Sequence, residues 1–333
     1  MGVSEIPPAG AATAAAAAAD AADAAATEGA ATARAATADD AAHASVFDQA
    51  TAARPLGDGR FAIVPDERFA IGAVVNGGVL VASVLRAVLY GSPHPYPVAT
   101  SSHFLRVARA EPAEVHVTWL KQGRTAATAR ATLVQDGVPV IESVVTTGML
   151  GAGEGTGGSG GAPGGAAGEA RAPGGAGAAD ALSWTGEPPR LPPVGQCRTF
   201  PVADGFTGQI DIRSDPATMG WLDGRPAGTP EMRGYLSLRE QRAPDAYLLA
   251  VAVDALPPVV FGLGAVGWAP TVELTWHMRG IPAPGLLRIA ARCRRVSAGW
   301  FDEEAEVWDA AGHLVAQGRQ LARVGRTAHG SSA

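Results

Sequence analysis

The chain is poor in lysine, cysteine and charged residues, and each shortage excludes a class of function. Lys121 is the only lysine, charged residues make up 17% of the 333 positions, and the net charge is −6. Because no basic stripe is present to neutralise phosphates, a nucleic-acid partner is not expected. The two cysteines, Cys197 and Cys293, lack the spacing of a metal motif. We therefore expect reduced thiols, a cytoplasmic location and no metal.

Long apolar runs and phosphate-binding motifs are also missing. The alanine-rich stretch near the beginning is interrupted by Asp20 and Asp23, so the sequence predicts neither a signal peptide nor a membrane span. A Walker-type phosphate loop is absent as well. From these observations we expect a protein without a bound cofactor.

Changes in amino-acid composition along the chain define five segments. Residues 1–45 form an alanine-rich tail with no apolar stripe to bury, which predicts disorder. Residues 151–195 are rich in glycine, alanine and proline, which predicts a flexible linker. Two regions of ordinary composition remain, 46–150 and 196–325, followed by a tail at 326–333. We expect one domain in each of these two regions.

The two regions follow the same order of elements. Each begins with strand-like sequence, continues with an apolar helix, and ends with four strands, the last two joined at Asp136-Gly137 in the first region and at Ala311-Gly312 in the second. Helices are predicted at 79–90 and 244–256. The predicted strands are 59–64, 98–107, 113–121, 125–135 and 138–150, then 206–213, 233–239, 271–279, 285–296, 300–308 and 313–324.

This duplication predicts an α+β fold made of two copies of one small unit. An apolar helix followed by four antiparallel strands packs most economically when the sheet curls around the helix. The two copies then form a pseudo-dimer within one chain. We expect a functional site between the copies.

Asn76, Gly77 and Gly78 precede the first apolar helix and are candidates for binding an anionic oxygen. Asn76 can cap the helix, and the glycines allow a ligand to approach the backbone. The first N–H groups of a helix are unpaired and the helix dipole favours an anion there. The alternative is that the glycines serve only tight packing of the helix.

Asp254 is the one carboxylate inside the apolar stretch of the second helix. A buried aspartate without a partner is costly, so the residue is expected to be either functional or paired. An arginine or a backbone N–H near the helix end is the alternative partner.

Four segments follow one another along the chain: Asn76–Gly78, Ser101–Arg106, Thr271–Trp276 and Leu314–Gln320. In this order they resemble the double-hotdog acyl-CoA thioesterases, and most closely the thioesterase II-like group. The resemblance extends over residues 45–150 and 196–325. It implies two fused hotdog units, each an antiparallel sheet wrapped around a central helix.

The resemblance also implies an acid, a hydroxyl and a glutamine that together position a water molecule for attack on a thioester. Mapped onto this sequence, the acid is Glu273, the hydroxyl is Ser297 and the glutamine is Gln320. The family's acid is usually aspartate and its hydroxyl usually threonine, and this chain departs from both. Asp254 is the rival base, and Glu273 has the alternative of an outward ion pair with Arg279 or Arg292.

The other two assignments have alternatives as well. Gln320 has the alternative of an ordinary polar strand position, and Gln317 is its rival three residues earlier. Ser297 stands next to Ala298 and Gly299, so its alternative is turn chemistry.

The function implied by the resemblance is hydrolysis of fatty acyl-CoA in lipid metabolism, with Asn76, Gly77 and Gly78 at the oxyanion. Arg86, Arg106 and Arg124 are candidates for contacts with the phosphates of CoA, or are ordinary surface arginines. Two alternatives stay open. One is a hotdog acyl-CoA hydratase or dehydratase, which would need a histidine paired with an acid, and the other is a non-catalytic acyl-CoA binding protein. Edge strands of the two sheets would also allow pairing with further copies, and thus a homo-oligomer.

Overall fold

The computed structural model describes residues 44–150, 184–201 and 204–327. The described residues from Ser45 onward belong to one compact unit. Nearly all of the predicted tail at 1–45, most of the linker at 151–195 and most of the tail at 326–333 lie outside the described residues. The predicted domain boundaries stay predictions. No helix in the described part of the chain combines the length and apolarity that crossing a membrane requires.

Between residues 44 and 150 the chain forms two helices and eight strands. The predicted buried helix and all five predicted strands are present, with ends shifted by a few residues. The elements are α1 (Val46–Ala50), β1 (Arg54–Gly57), β2 (Arg60–Ile63), β3 (Ala70–Ile71), β4 (Val74–Val75), α2 (Gly77–Tyr90), β5 (Tyr96–Phe104), β6 (Ala113–Gln122), β7 (Ala126–Gln135) and β8 (Val138–Gly148).

The second half, described over 184–201 and 204–327, contains two further helices and ten strands. A short 3₁₀ turn at Val259–Leu263 lies between the second of these helices and the next strand. The elements are β9 (Arg198–Thr199), α3 (Phe206–Gln209), β10 (Ile210–Ser214), β11 (Glu231–Leu238), α4 (Ala246–Ala252), β12 (Ala265–Val266), β13 (Thr271–Met278), β14 (Leu287–Arg292), β15 (Val296–Ser297), β16 (Trp300–Trp308), β17 (Leu314–Arg323) and β18 (Arg326–Thr327).

The two halves have the same strand topology. The first half runs β2, α2, β5, β6, β7, β8 along the chain, and its strands lie in the order β2-β6-β7-β8-β5. The second half runs β11, α4, β13, β14, β16, β17, and its strands lie in the order β11-β14-β16-β17-β13. Each strand in one list has its counterpart at the same position in the other, as a duplication requires.

The halves are joined through one pair of strands. β5 pairs with β13 in antiparallel fashion, with Ser102 opposite Leu274. This pairing makes a single 14-stranded sheet that runs across both copies. Strands β5 and β13 would be edges if each copy stood alone, and here each covers the other's unpaired backbone groups.

Helix α2 is buried on nearly all sides, as its apolar sequence predicts. Asn76 caps it by accepting a hydrogen bond from the Val79 amide at 3.1 Å. The helix packs against α4 so closely that a Cβ on Gly78 would lie 2.6 Å from the carbonyl oxygen of Ala250. The glycine is therefore needed for the contact between the two central helices.

Helix α4 is shorter than predicted. Asp245 caps it by accepting hydrogen bonds from the amides of Tyr247 and Leu248 at 3.0 and 2.9 Å. The helix ends at Ala252, because the Asp254 amide donates to the Val251 carbonyl at 3.0 Å in a tighter turn. A second difference lies at residues 206–213, predicted as one strand, where a helical turn precedes β10.

Candidate active site

A cavity of about 770 Å³ lies where the beginning of α2 meets the end of α4, and we call it the central cavity. Its volume is within the usual range for small-molecule sites. Residues of both halves line it, and most of them are apolar. The apolar lining includes Val75, Leu80, Phe104, Phe206, Leu256, Phe261, Trp268 and Phe301, and the polar lining includes Asn76, Thr207, Asp254, Thr271 and Gln320.

Asp254 faces the central cavity from the turn that follows α4. Its Oδ2 accepts a hydrogen bond from the Gly78 amide at 2.9 Å and one from Asn76 Nδ2 at 3.2 Å. Asn76 Nδ2 also lies 3.2 Å from the Asp254 carbonyl oxygen. Among the described residues, no donor is assigned to the second carboxylate oxygen. The acid of one half is thus held by the helix start of the other.

Burial raises the pKa of Asp254 to about 6, although the hydrogen bonds from Gly78 and Asn76 act in the opposite direction. Desolvation has the larger effect because the carboxylate loses hydration at this site and none of the described residues supplies a cationic partner. A base of this pKa is ionised at neutral pH and still takes up a proton readily.

The beginning of α2 holds the three residues expected to bind an anionic oxygen. The Gly78 amide is bound to Asp254 and the Val79 amide to Asn76, so these two amides are occupied. In the described part of the chain no acceptor is recorded for the Gly77 amide. A Cβ at Gly77 would lie 3.0 Å from Asp254 Oδ2 and from the Phe104 ring, so glycine also makes room for the acid.

Thr271 and Gln320 form a second polar pair in the central cavity. The Thr271 hydroxyl donates to Gln320 Oε1 at 2.6 Å. The predicted glutamine therefore lies in the same cavity as Asp254, and its hydroxyl partner is a threonine that the sequence reasoning missed. Thr271 stands only two positions from Glu273, so the sequence does not show which of the two residues faces the cavity.

A β-bulge explains why Thr271 and Glu273 face opposite sides of the sheet. Residues two positions apart on a regular strand share a face. Here the pairing with β17 shifts between Thr271, opposite Ala322, and Glu273, opposite Leu321. Because of this extra residue in β13, Glu273 points to the face of the sheet opposite to that of Thr271.

Glu273 consequently lies on the outer face of the sheet, outside the central cavity. Its carboxylate accepts hydrogen bonds from Ser101 at 3.2 Å and Thr275 at 2.5 Å. It lines a separate groove of mixed charge on that face, together with His277 and Arg319. Neither of the predicted ion pairs with Arg279 or Arg292 is formed. The structure thus does not bring Glu273 to Asn76, Gly77 and Gly78.

Ser297 is also absent from the lining of the central cavity. It lies in the short strand β15, is exposed, and pairs with Trp300 across a hairpin. The turn contains Ala298 and Gly299, both with positive φ, as the alternative of turn chemistry implies. The hydroxyl beside Gln320 comes instead from Thr271.

Glu303 is a buried acid that the sequence reasoning missed. It lies on β16 directly opposite Gln320, with 3% of its surface exposed. Its Oε2 accepts a hydrogen bond from the Val259 amide at 3.1 Å, and the buried Gln320 lies across from it on β17. Burial, together with the nearby charge of Asp254, raises its pKa to about 7. The alternation of inward residues along β16, where Phe301 and Ala305 flank it, is the signal that could have found it.

No group of three or more histidine, cysteine, aspartate or glutamate side chains in the described residues is arranged to hold a metal ion. Histidine is likewise absent from the described lining of the central cavity. The polar chemistry available there is that of carboxylate, amide and hydroxyl groups, together with the guanidinium of Arg106.

Two family models match the chain. The model of the acyl-CoA thioesterase N-terminal domain matches residues 64–148, and the model of the acyl-CoA thioesterase C-terminal domain matches residues 177–324. Among known proteins, an uncharacterised protein of Mycobacterium tuberculosis is 33% identical over 278 residues, which is 78% of this chain and 89% of that protein.

Solved structures agree with the fold. A candidate thioesterase II from Thermobifida fusca is 38% identical with a TM-score of 0.73, over 85% of this chain and 99% of its own. A protein with a hotdog fold from Alicyclobacillus acidocaldarius is 21% identical with a TM-score of 0.66, over 84% of this chain and 98% of its own, and this likeness concerns the fold alone. The predicted α+β architecture of two fused hotdog units is confirmed.

Proposed function

The chain belongs to the acyl-CoA thioesterase family, a family of thioester hydrolases, and we propose that it hydrolyses fatty acyl-CoA in the central cavity with Asp254 as the general base. The observation that carries the proposal is the contact between the two halves. The Asp254 carboxylate is bound to the beginning of α2, next to the Gly77 amide, and both line one apolar cavity.

The acyl chain would lie among the apolar side chains of the central cavity. Each buried CH₂ group contributes about 0.8 kcal/mol to binding. The aromatic rings of Phe104, Phe261 and Phe301 line this space on several sides. An apolar lining of this kind supports a fatty acyl group rather than a polar one as the part of the substrate that enters.

The reaction needs a water molecule, a base and a site for negative charge. A water bound to the free oxygen of Asp254 would give its proton to the carboxylate while its oxygen attacks the thioester carbon. The carbonyl oxygen becomes an oxyanion, which the Gly77 amide can stabilise because it stands at the positive end of α2. Collapse of the tetrahedral intermediate breaks the C–S bond, and the proton on Asp254 passes to the thiolate.

Thr271 and Gln320 would hold the attacking water. In the observed hydrogen bond the Thr271 hydroxyl donates to Gln320, so its lone pairs remain for a proton of the water. A water that donates to both Thr271 and Asp254 has a lone pair left for the carbonyl carbon. Gln320 thereby keeps the role expected from the sequence, with Thr271 in place of Ser297 and Asp254 in place of Glu273.

Arg106 is the candidate for the phosphates of CoA. It is exposed beside the central cavity and is the one lysine or arginine among the described residues that line it. Arg86, by contrast, bonds to Asp48 and Thr51 and lies 4.1 Å from the centre of the Tyr247 ring. Arg124 is exposed and is not part of the cavity lining.

Two alternatives were open at the level of sequence. A hydratase or dehydratase would need a histidine facing the substrate, and the described lining of the central cavity offers none. A non-catalytic binding protein would bind acyl-CoA without turnover. The acid of pKa about 6 beside an anion-binding helix start favours catalysis.

We further propose a cytoplasmic protein of lipid metabolism that assembles into a homo-oligomer. Cys197 and Cys293 are both free thiols, in agreement with a reducing compartment. The large sheet ends at β1 and at β9, and either edge could pair with a second copy. Light scattering of the purified chain measures the oligomeric state.

The decisive experiment measures thiol release from acyl-CoA substrates of different chain lengths. Asp254→Asn should lower kcat by about 10²- to 10⁴-fold, the usual range for loss of a general base. Glu273→Gln is the matched control, because it neutralises a carboxylate on the outer face and should keep the rate. If Glu273→Gln abolishes hydrolysis and Asp254→Asn does not, the base is misassigned. If the unmodified chain binds a non-hydrolysable analogue without turnover on any substrate, the binding alternative is correct.

A further inference from the structure

Glu303 is separated from the central cavity by Gln320. It is not among the residues that line the cavity, yet it lies directly opposite Gln320, which does line it, and both side chains are buried. The Gln320 amide oxygen accepts the Thr271 hydroxyl at 2.6 Å. Glu303, Gln320 and Thr271 thus lie in a row, so that a chain of hydrogen bonds can run from the buried acid to the proposed position of the water.

The direction of this chain is not determined by Gln320 or Thr271. A glutamine amide can present either its oxygen or its NH₂ group to a neighbour, and a threonine hydroxyl can donate or accept. An ionised carboxylate, by contrast, only accepts. Glu303 also accepts from the Val259 amide at 3.1 Å, which keeps the acid in place.

We infer that Glu303 is a positioning residue that sets the direction of the hydrogen bonds through Gln320 to Thr271, and so decides whether Thr271 offers a lone pair or a proton to the cavity. This inference rests on the proposed function of the central cavity. It gives a task to a buried acid that the hydrolytic steps above do not use.

The ionised form of Glu303 gives the productive direction. It draws the NH₂ group of Gln320, so Oε1 points to Thr271 and the hydroxyl must donate to it, as observed. The lone pairs of Thr271 then receive a proton of the water. When Glu303 is protonated, its O–H can donate to Gln320 Oε1, the amide turns over, and Thr271 accepts from NH₂. The hydroxyl proton of Thr271 then points into the cavity, so the hydroxyl no longer offers a lone pair to a proton of the water.

Among the described residues, few groups act on the charge of Glu303. The turn after α4 contributes Asp254, β17 contributes the neutral Gln320, and the 3₁₀ turn at Val259–Leu263 contributes a backbone amide. Next to the Arg292–Glu304 pair of β14 and β16 stands the Cys293 thiol, whose pKa burial raises to about 11, so it is neutral. Asp254 and Glu303 are thus two acids whose pKa values burial raises, and the productive state needs both ionised.

The test compares kcat/KM against pH for the unmodified chain and for Glu303→Gln, with folding checked by circular dichroism. The unmodified chain should lose activity on acidification through two ionisations. Glu303→Gln should lose activity through one, that of Asp254. Above the upper ionisation it should be about three- to tenfold slower, the effect of losing one directing hydrogen bond. The inference is overturned if Glu303→Gln still loses activity through two ionisations and has an unchanged rate. It is also overturned if the variant differs from the unmodified chain only in being less stable.

A second measurement does not depend on turnover. The side-chain NH₂ resonances of Gln320, assigned with the help of Gln320→Asn, should shift with pH near neutrality in the unmodified chain and stay constant in Glu303→Gln. If they do not titrate in the unmodified chain, the inference fails even when the enzyme is active. If they titrate but the chain hydrolyses no thioester, the hydrogen-bond switch stands and the proposed function fails.

Discussion

The Gly78 amide donates a 2.9 Å hydrogen bond to the carboxylate of Asp254, a residue 176 positions away in the other copy of the duplicated unit. The same glycine is where the two central helices touch, since a Cβ there would lie 2.6 Å from the Ala250 carbonyl and 2.7 Å from Val251 Cα. One position therefore controls both the packing of the two halves and the placement of the acid.

Gly78→Ala should lower both stability and activity. The new methyl group would meet backbone atoms of α4, which cannot move aside as a flexible side chain would, and forcing apart packed elements costs about 1–3 kcal/mol. Separation of α2 from α4 would also lengthen the bond to Asp254. Urea unfolding and kcat measure the two effects. Gly195→Ala is the control, because a Cβ at that position has no atom within 4 Å.

The buried acids should make the protein less stable as pH rises. The folded-state pKa of Glu303, about 7, exceeds its ordinary value of 4.5. The folded state therefore binds the proton more tightly than the unfolded state, and stability is lost between these two pH values. Glu303→Gln removes this loss, so the variant should be more stable than the unmodified chain at pH ~8 by roughly 1–3 kcal/mol and should gain much less at pH ~4.5.

Thermal or urea unfolding at both pH values checks this prediction. Glu306→Gln is the control, because this partly buried acid lies three positions along the same strand and accepts a hydrogen bond from the Trp308 ring instead. A Glu303→Gln variant whose stability relative to the unmodified chain is the same at both pH values would show that Glu303 is not protonated at neutrality.

Thr271→Val should lower kcat by about tenfold, whereas Thr271→Ser should retain most of the activity. Valine has nearly the shape of threonine but removes the hydroxyl, leaving the Gln320 oxygen without its donor, which costs about 1–3 kcal/mol for a buried group. Serine keeps the hydroxyl and loses only a methyl group. Steady-state kinetics with acyl-CoA separate the two variants. If Thr271→Val and the unmodified chain have the same kcat, Thr271 does not bind the attacking water.

The fold was predictable from the sequence because its signals are local. The apolar run of α2, the cap at Asn76 and the turns at Asp136 and Gly312 each depend on neighbouring residues only. The site was harder for two physical reasons. A single bulge in β13 reverses the face on which Glu273 would otherwise share the cavity with Thr271. The bond between Asp254 and Gly78 spans 176 positions and requires the packing of both halves.

Arg106→Ala should weaken the binding of acyl-CoA without changing the chemical step. The Arg106 guanidinium donates to the Pro139 carbonyl at 2.8 Å, and no carboxylate in the described part of the chain is paired with it, so its charge remains available at the cavity. An exposed contact between a cation and a phosphate is worth about 1 kcal/mol and weakens with salt. The KM for acyl-CoA should therefore rise about fivefold at low salt, with kcat unchanged.

An acyl-pantetheine substrate, which lacks the nucleotide phosphates, should show no such rise in KM with Arg106→Ala. Arg124→Ala is the matched control, since Arg124 is exposed but does not line the cavity. Equal effects of Arg106→Ala on both substrates would mean that the arginine supports the fold of the cavity and does not bind phosphate.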